Sequence, residues 1–198
     1  MTLLVSLRSS AVGELPPRLV LFNGPPRSGK DTASKILSEL LGGPPVYWLA
    51  DHLCTMVQRA HWLDPHPKAY EGVKDVPMPA LEGKTPRQAR IAFAERYIKP
   101  TYGADFFAKR LHESMPSTVK LKIIADLGFD EEMRLLEQHH RCVIVQLRRE
   151  GCDFSNDSRK YVEPGECGGA CVMLDNNGSI EDLWDALRSV VAPLLTLT

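Results

Sequence analysis

The chain contains 198 residues, of which 43% are hydrophobic and 25% charged, and its formal net charge is -1. This length fits one compact α/β domain with a sizeable buried core. The near-zero charge excludes binding of nucleic acid through overall positive charge, although a local basic strip stays open. No apolar run approaches the roughly 20 residues of a membrane span, and the N-terminus lacks the basic leader of a signal peptide. We therefore expect a cytoplasmic protein, in the host cytoplasm if the gene is viral.

The five cysteines predict free thiols rather than disulfides or a metal site. Cys167 and Cys171 lie in a glycine-rich stretch with Cys152 upstream, and the local sequence offers no fourth ligand for a metal ion. An odd number of scattered cysteines is typical of a protein in a reducing compartment.

The first part of the chain predicts two strands, each followed by a helix. The continuous apolar run Arg18–Asn23 is typical of a strand that is buried on both faces. After a turn rich in glycine and proline, apolar residues at helical spacing predict a helix up to Leu41. Residues 46–50 predict a second strand that ends at Asp51, and a second amphipathic helix follows up to Ala60.

The middle of the chain predicts an insertion between regular elements. Residues 63–84 are rich in proline and charge and show no period, which is typical of a mobile segment that covers a substrate. The run Thr85–Gln88 combines a capping box with proline in the first helical position. We expect a helix there that stops before Pro100, and another short helix near residues 106–111.

The last part predicts three further strands, at residues 121–125, 142–147 and 170–174. The first of these ends at Asp126, and a helix at 131–139 precedes the next one. Residues 149–169 predict a loop or short lid. An Asn-Asn-Gly turn follows the fifth strand, and Ser179 caps a final helix.

Strands that alternate with helices predict a parallel sheet of about five strands, with helices on both faces. We expect an N-terminal extension at 1–17 and a single domain at 18–198. Insertions near 63–110 and 149–169 would bind a second substrate or form a lid. In such folds ligands bind beyond the carboxyl ends of the strands, where Gly24, Asp51 and Asp126 fall.

The most informative motif lies between the first strand and the first helix. Gly24, Gly29 and Lys30 match the Walker A spacing, which surrounds phosphate oxygens with backbone amides, a lysine and a helix N-terminus. A strand before the motif and a helix after it are the context that the motif requires. We expect the whole loop to hold a nucleotide, namely Gly24, Pro25, Pro26, Arg27, Ser28, Gly29, Lys30, Asp31 and Thr32.

Asp31 stands where the Walker A motif has a hydroxyl group, and Thr32 follows it. A carboxylate repels a triphosphate unless a magnesium ion lies between the two groups. Asp31 and Thr32 are therefore the candidate ligands of Mg²⁺, directly or through water. Arg27 could neutralise phosphate charge or face solvent.

These residues resemble the phage deoxynucleoside monophosphate kinases, a family of P-loop kinases. Only the phosphate loop is specific by itself, and the remaining segments count through their order along the chain. The similar segments are Asn23–Thr32, Leu49–Leu53, Lys84–Ala89, Tyr102–Asp105, Ile124–Glu132 and the turn Asn177–Ser179.

The resemblance implies a P-loop NTPase-type sheet similar to that of nucleoside monophosphate kinases. It also implies transfer of the γ-phosphate of ATP to a free deoxynucleoside 5′-monophosphate, with Mg²⁺. Carried over by position, it implies that the catalytic residues are Lys30, Asp51, Arg87, Asp126 and Arg148, or Arg149 in place of Arg148.

Gly128 departs from the family, which usually has arginine there, and the departure removes a contact to an anion or a base. It keeps open a related group of phage enzymes that phosphorylate 5-hydroxymethyluracil within DNA, where the base must leave the stack. A basic strip could bind such DNA, but it could equally be a solvated helix face. The strip consists of Lys84, Arg87, Arg90, Arg96, Lys99, Lys109 and Arg110.

Structural alternatives stay open for several of these residues. Asp51 can be a helix N-cap rather than a catalytic carboxylate. Asp126 fits a carboxylate on the metal side of the site, or a base for a hydroxymethyl acceptor. Arg87 can simply lie in a first helical turn, and Arg148 can be an exposed strand end. A P-loop switch or ATPase is a third class, which Asp31 disfavours, and the sequence leaves open whether the protein is a homodimer.

Overall fold

The computed structural model describes residues 18–155, 157–163 and 170–196. It contains a five-stranded sheet in the order β2-β3-β1-β4-β5, in which every neighbouring pair is parallel. In chain order the strands β1–β5 are Arg18–Asn23, Val46–Tyr47, Leu121–Leu127, Arg141–Arg148 and Ala170–Asp175. The predicted parallel sheet is thus confirmed, while the expected extension at 1–17 lies outside the described residues.

Eight α-helices accompany the sheet within the described residues. In chain order α1–α8 are Lys30–Leu40, Ala50–Ala60, Pro86–Phe93, Lys99–Tyr102, Phe106–Ser114, Asp130–His139, Ile180–Ala186 and Ala192–Thr196. The π-helical turns Ala94–Ile98 and Leu187–Val191 join α3 to α4 and α7 to α8. None of the helices in the described ranges is long and apolar enough to span a membrane.

The chain forms two compact units. The first unit contains the residues up to Trp48 and from Met115 onward, and the second unit is Leu49–Ser114. The sheet belongs to the first unit, together with α1, α6, α7 and α8. The second unit contains α2–α5 and two short 3₁₀ turns, Glu71–Val73 and Pro79–Leu81. The single domain with insertions that the sequence predicts stays a prediction.

The core of the first unit covers the sheet on both faces, which explains why its strands are almost continuously apolar. One hydrophobic cluster joins the sheet to α1 and the C-terminal helices, and its members include Val20, Phe22, Leu37, Leu183 and Leu187. On the opposite face from this cluster, Leu19 and Leu21 of β1 are fully buried, and α6 packs against β4. Strand β1 lies at the centre of the sheet, so the loop that follows it starts from a buried support.

The predicted second strand was too long. Only Val46 and Tyr47 pair with β3, and α2 already begins at Ala50. Asp51 therefore lies in the first turn of a helix and not at a strand end. It is not the N-cap either, because that position belongs to Leu49. A short apolar run does not show where an edge strand leaves the sheet.

The predicted end of the helix before Pro100 was also wrong. The capping box is confirmed, since Thr85 Oγ1 accepts from the Gln88 amide at 3.1 Å and Gln88 Oε1 accepts from the Thr85 amide at 3.0 Å. Beyond α3, however, the π-helical turn Ala94–Ile98 continues directly into α4, with the Lys99 amide bonded to the Ala94 carbonyl, and Pro100 lies in α4.

Candidate functional site

The phosphate-binding motif forms the connection from β1 to α1. Strand β1 ends at Asn23, and α1 begins at Lys30. Gly29 has φ 97°, a left-handed conformation that favours glycine. Asn176, just after β5, donates from Nδ2 to the Ser28 carbonyl at 2.8 Å, and a Cβ at position 29 would overlap this amide. The shape of the loop therefore depends on Gly29 and on a side chain from the far end of the sequence.

Lys30 is held inside the loop that it serves. Its Nζ donates to the carbonyls of Gly24 at 2.7 Å and of Pro25 at 2.6 Å, and the residue is only 9% exposed. A lysine at the start of a helix, turned back over the preceding loop, has the position of a Walker A lysine. An arriving phosphate would offer this ammonium group a stronger acceptor than the two carbonyls do.

Burial and the neighbouring charges set the protonation of Lys30. Burial, followed by the positive charge of Arg159, lowers the pKa of Lys30 from 10.5 to about 8. Three carboxylates oppose this shift, those of Asp31, Asp126 and Asp157. Lys30 therefore lies in a mixed field with a second cation close by, and not among carboxylates alone.

Asp31 and Thr32 are exposed in the first turn of α1. The indole Nε1 of Trp48 donates to Asp31 Oδ1 at 2.8 Å, which orients the carboxylate and leaves Oδ2 outside that hydrogen bond. A magnesium ion bound to a nucleotide takes one or two protein oxygens and completes its shell with phosphates and water. The donor set of Asp31 and Thr32 fits such an ion.

Asp126 lies beside this loop, as its position in the sequence suggested. Strand β3 continues to Leu127, so the predicted strand end was short and Asp126 is the penultimate residue of the strand. Its carboxylate is half-buried and raises the pKa of both Lys30 and Arg159. The structure thus brings Lys30, Asp31 and Asp126 together at the carboxyl edge of the sheet.

Asn23, the last residue of β1, holds three backbone groups near the phosphate loop through hydrogen bonds. Its position in the sequence did not predict this role. Asn23 is fully buried, and its Nδ2 donates to the Leu127 carbonyl at 2.9 Å and to the Lys160 carbonyl at 3.0 Å. Its Oδ1 accepts from the Val162 amide at 3.1 Å. One buried amide therefore ties β1 and β3 to residues 157–163, which we call the strap.

Three further contacts fix the strap. Gln146 Nε2 in β4 donates to the Val162 carbonyl at 2.7 Å, and the Tyr161 hydroxyl donates to the Leu147 carbonyl at 3.0 Å. Lys160 forms an ion pair with Asp130 at 2.6 Å. The loop predicted at 149–169 is therefore attached to the strand ends over residues 157–163, while residues 156 and 164–169 lie outside the described residues.

The strap carries Arg159 into the site. Its guanidinium binds Asp157 in a bidentate manner, with Nε to Oδ1 at 2.8 Å and Nη2 to Oδ2 at 2.6 Å. Burial lowers the pKa of Arg159, but the hydrogen bonds and charge of Asp157, together with Asp126 and Glu132, raise it above its ordinary value. Arg159 therefore stays a cation beside Lys30.

Gly128 is the reason that Arg159 has room. A Cβ at position 128 would lie 2.6 Å from Arg159 Cγ and closer still to Cδ. The backbone amides of Gly128 and Phe129 both donate to Glu132 Oε2 at 3.2 Å, which fixes the turn into α6. The stem of an arginine from the strap occupies the space over this glycine, and the loss of an anion or base contact at position 128 stays a prediction.

Of the other predicted site residues, two are exposed in the first unit and two lie in the second unit. Arg27 has φ 66° and is exposed, and Arg148 is exposed at the end of β4. In the second unit, Asp51 forms an ion pair with Lys68 at 2.9 Å, and Arg87 forms one with Asp75 at 2.7 Å.

The basic strip predicted from the sequence carries its own counter-charges. Five of its seven members form ion pairs within the second unit: Lys84 with Glu82, Arg87 with Asp75, Arg90 with Glu71, Lys99 with Glu95, and Arg110 with Glu113. Such alternation is typical of a solvated surface, and it offers less charge to a DNA backbone than the sequence suggests.

Cysteines do not build a site in the part of the chain that the structure describes. Cys54, Cys142, Cys152 and Cys171 are free thiols, as predicted, whereas Cys167 lies outside the described residues. Among the described side chains, no group of three or more histidines, cysteines or acids is placed to hold a metal ion.

Known family models do not match this chain, and curated proteins give no match either. Several solved structures, however, are similar to it. Shikimate kinase from Aquifex aeolicus is 14% identical with a TM-score of 0.44, over 90% of this chain and 96% of that chain. A sugar kinase from Janibacter is 17% identical with a TM-score of 0.44, over 92% and 99%. An APS kinase from Mycobacterium tuberculosis is 12% identical with a TM-score of 0.44, over 92% and 99%. Similarity at this level assigns no activity to this chain.

Proposed function

We propose that this chain is a P-loop kinase that transfers the γ-phosphate of ATP to a free deoxynucleoside 5′-monophosphate. The observation that carries the proposal is the loop between β1 and α1. A buried Lys30 is folded back over Gly24 and Pro25 there, at the start of a helix and at the carboxyl edge of a parallel sheet. This combination of lysine, loop and helix N-terminus is built to bind a chain of phosphates.

The donor half of the reaction follows from the same residues. The loop amides and Lys30 would bind the β- and γ-phosphates of ATP, and Asp31 with Thr32 would hold the magnesium ion. Bound Mg²⁺ would neutralise phosphate charge. Phosphoryl transfer demands positioning and charge stabilisation more than covalent chemistry, so a rigid loop with a fixed cation supplies much of what is needed.

The acceptor half needs cations more than it needs a base. The phosphate of a monophosphate is already nucleophilic, but it must approach another phosphate of like charge. Arg87 of the second unit and Arg148 at the end of β4 are candidate cations for this approach. Asp126 would act on the metal side of the site, and Asp51 near the acceptor.

Two observations favour a free nucleotide over 5-hydroxymethyluracil in DNA. The stem of Arg159 fills the space over Gly128, which supports an arginine in this part of the proposed site. Most of the basic strip is paired with acids of the same unit, so the strip itself does not form a continuous positive face. The DNA-modifying activity stays the alternative that the experiment has to test.

The decisive experiment uses purified protein, Mg²⁺ and ATP labelled in the γ-phosphate. One reaction contains the four deoxynucleoside monophosphates, a second contains DNA with 5-hydroxymethyluracil, and a third has no acceptor. We expect labelled deoxynucleoside diphosphate in the first reaction only. Label that enters DNA alone would replace the proposal with the DNA-modifying alternative, and label released only as inorganic phosphate would indicate an ATPase.

Lys30→Ala tests the role of the phosphate loop. We expect this variant to lose transfer by at least about 100-fold, because phosphate charge in the transition state is left without its lysine. Lys35→Ala is a matched control, since Lys35 is an exposed lysine on the same helix. If both variants keep wild-type transfer rates, the role assigned to Lys30 is wrong.

A further inference from the structure

We propose that Arg159 binds a phosphate group in the phosphate site, and that Gly128 is the residue that admits it. The inference rests on the proposed kinase function, because it assigns a residue to the same site. It concerns a polyphosphate ligand, either the ATP phosphates or the acceptor phosphate that approaches them.

The position of the Arg159 charge supports this role. The next residue, Lys160, accepts a hydrogen bond from Asn23 Nδ2 through its carbonyl, and Asn23 is the last residue before the phosphate loop. The stem of Arg159 crosses Gly128, which directly follows β3, so Arg159 lies at the carboxyl edge of the sheet where the phosphate loop begins. A phosphate bound in the loop could accept hydrogen bonds from both Arg159 and Lys30.

The hydrogen-bond donors of Arg159 support it as well. A guanidinium group has five N–H donors, and the bidentate contact with Asp157 uses Nε and one hydrogen of Nη2. The side chain of Asp157 is 8% exposed, whereas that of Arg159 is 23% exposed. The buried Asp157 therefore holds Arg159 through one edge of the guanidinium group, and the more exposed part of that group is left to face solvent. An arginine oriented in this way is suited to bind a phosphate.

The backbone around Arg159 is rigid, which a phosphate ligand requires. Its own amide donates to Asp157 Oδ1 at 3.0 Å, and Asn23 binds the Lys160 carbonyl and the Val162 amide. The stem of Arg159 crosses Gly128 with no room for a Cβ. An arginine that starts from position 128 would need the same space, so the site can take its cation from one position or from the other.

The test compares Arg159→Ala, Gly128→Ala and the exchange variant Gly128→Arg with Arg159→Ala. Calorimetry measures the binding of tripolyphosphate and of MgATP, and the labelled assay measures transfer. Arg159→Lys keeps the charge but loses the fork. Thermal unfolding shows which variants are folded, and Arg159→Gln replaces Arg159→Ala if the latter is not.

We expect Arg159→Ala to weaken tripolyphosphate binding or to slow transfer by at least tenfold. Gly128→Ala should have a similar effect although it removes no charge. The exchange variant, Gly128→Arg with Arg159→Ala, should recover at least half of the affinity or transfer rate lost in Arg159→Ala, measured on a logarithmic scale. A purely structural role of Arg159 would not predict this recovery. Unchanged binding and transfer in folded Arg159→Ala, or an exchange variant no better than Arg159→Ala, would overturn the inference. Failure of the wild type to bind MgATP would instead refute the proposed function.

Discussion

The indole N–H of Trp48 donates a hydrogen bond to Asp31 Oδ1 at 2.8 Å. The carboxylate that replaces the usual Walker hydroxyl is therefore oriented by the residue that follows β2 by one position. A carboxylate at position 31 favours nucleotide binding only if it binds Mg²⁺, because it would otherwise repel the phosphates. The hydrogen bond restricts Asp31 to one direction, and it makes Trp48 a reporter for the occupation of the site.

Asp31 should have opposite effects on nucleotide binding with and without metal. We expect Asp31→Asn to weaken MgATP binding by about three- to tenfold, because a charged ligand of Mg²⁺ is lost. Binding of ATP in the presence of EDTA should instead become equal or tighter, because the repulsion between carboxylate and triphosphate disappears. Titrations monitored by Trp48 fluorescence in a Trp62→Phe, Trp184→Phe background measure both affinities. Weaker binding in EDTA would contradict the assigned role.

Nucleotide binding should weaken at alkaline pH because Lys30 must be a cation to bind phosphate. Its pKa in the ligand-free protein is lowered to about 8. The dissociation constant for MgATP should therefore rise between pH 7 and pH 9 by roughly tenfold. Binding near pH 8.5 should take up a proton, which calorimetry in buffers of different ionisation enthalpy detects. A flat profile would show that Lys30 is not the group that titrates.

The same shift makes a prediction about stability, with a definite sign. The folded pKa of Lys30 lies below its ordinary value of 10.5, so the unfolded chain binds more protons between about pH 8 and 10.5. The contribution of Lys30 to the free energy of unfolding should therefore rise with pH over this window. Urea titrations of the wild type and of Lys30→Met across the window isolate this contribution, since the variant should lack the rise.

Gly29→Ala should damage the loop through a steric contact as well as through backbone strain. The added Cβ would overlap Asn176 Nδ2, and φ at this position is 97°. We expect a loss of about 1–3 kcal/mol in the free energy of unfolding, with weaker MgATP binding. Gly43→Ala is the matched control, since φ is 91° there but nothing lies within 4 Å of the new carbon. Equal losses in both variants would mean that strain alone acts at position 29.

Asn23→Ala should release the strap. The substitution leaves the Val162 amide and the carbonyls of Leu127 and Lys160 without this buried partner. We expect a loss of about 1–3 kcal/mol in stability and faster hydrogen exchange at the Val162 amide. Asn177→Ala is the control, because Asn177 is exposed and its Oδ1 accepts from the Glu150 amide outside the strap. Unchanged exchange at Val162 would show that Gln146 holds the strap without Asn23.

The existence of the five strands, the bounds of β1 and the sequence of the phosphate loop could be predicted because their signals are local. The bounds of β1, Arg18–Asn23, agree with the prediction at both ends. Ser179 caps α7 as predicted, since its Oγ accepts from the Asp182 amide at 3.1 Å. Continuous apolar runs mark buried parallel strands, and a glycine loop of this spacing between a strand and a helix is typical of a phosphate site. Neighbouring residues alone are enough to predict elements of this kind.

The contacts of the strap and of Arg159 could not be predicted from the sequence, for a physical reason. Asn23 reads as the last residue of a strand, yet it contacts residues more than 100 positions away in sequence. Similarly, nothing in the sequence around position 128 shows that the side chain of Arg159 crosses this glycine. Long-range contacts of buried polar groups leave no periodic signal, so only the fold reveals them. For Pro100 the error was local, since a π turn carries the helix on past the proline in a way that propensities do not anticipate.

The central position of β1 also determines at what stage of unfolding the phosphate site is lost. Amides in β1 are paired with β3 on one side and β4 on the other, so they can exchange only when the middle of the sheet opens. The phosphate loop begins where β1 ends, so we expect the support of the loop to open only together with the centre of the sheet. Heating or denaturant should leave the loop competent to bind nucleotide until the sheet itself unfolds. Bound nucleotide should correspondingly slow global unfolding, rather than merely protecting a local segment.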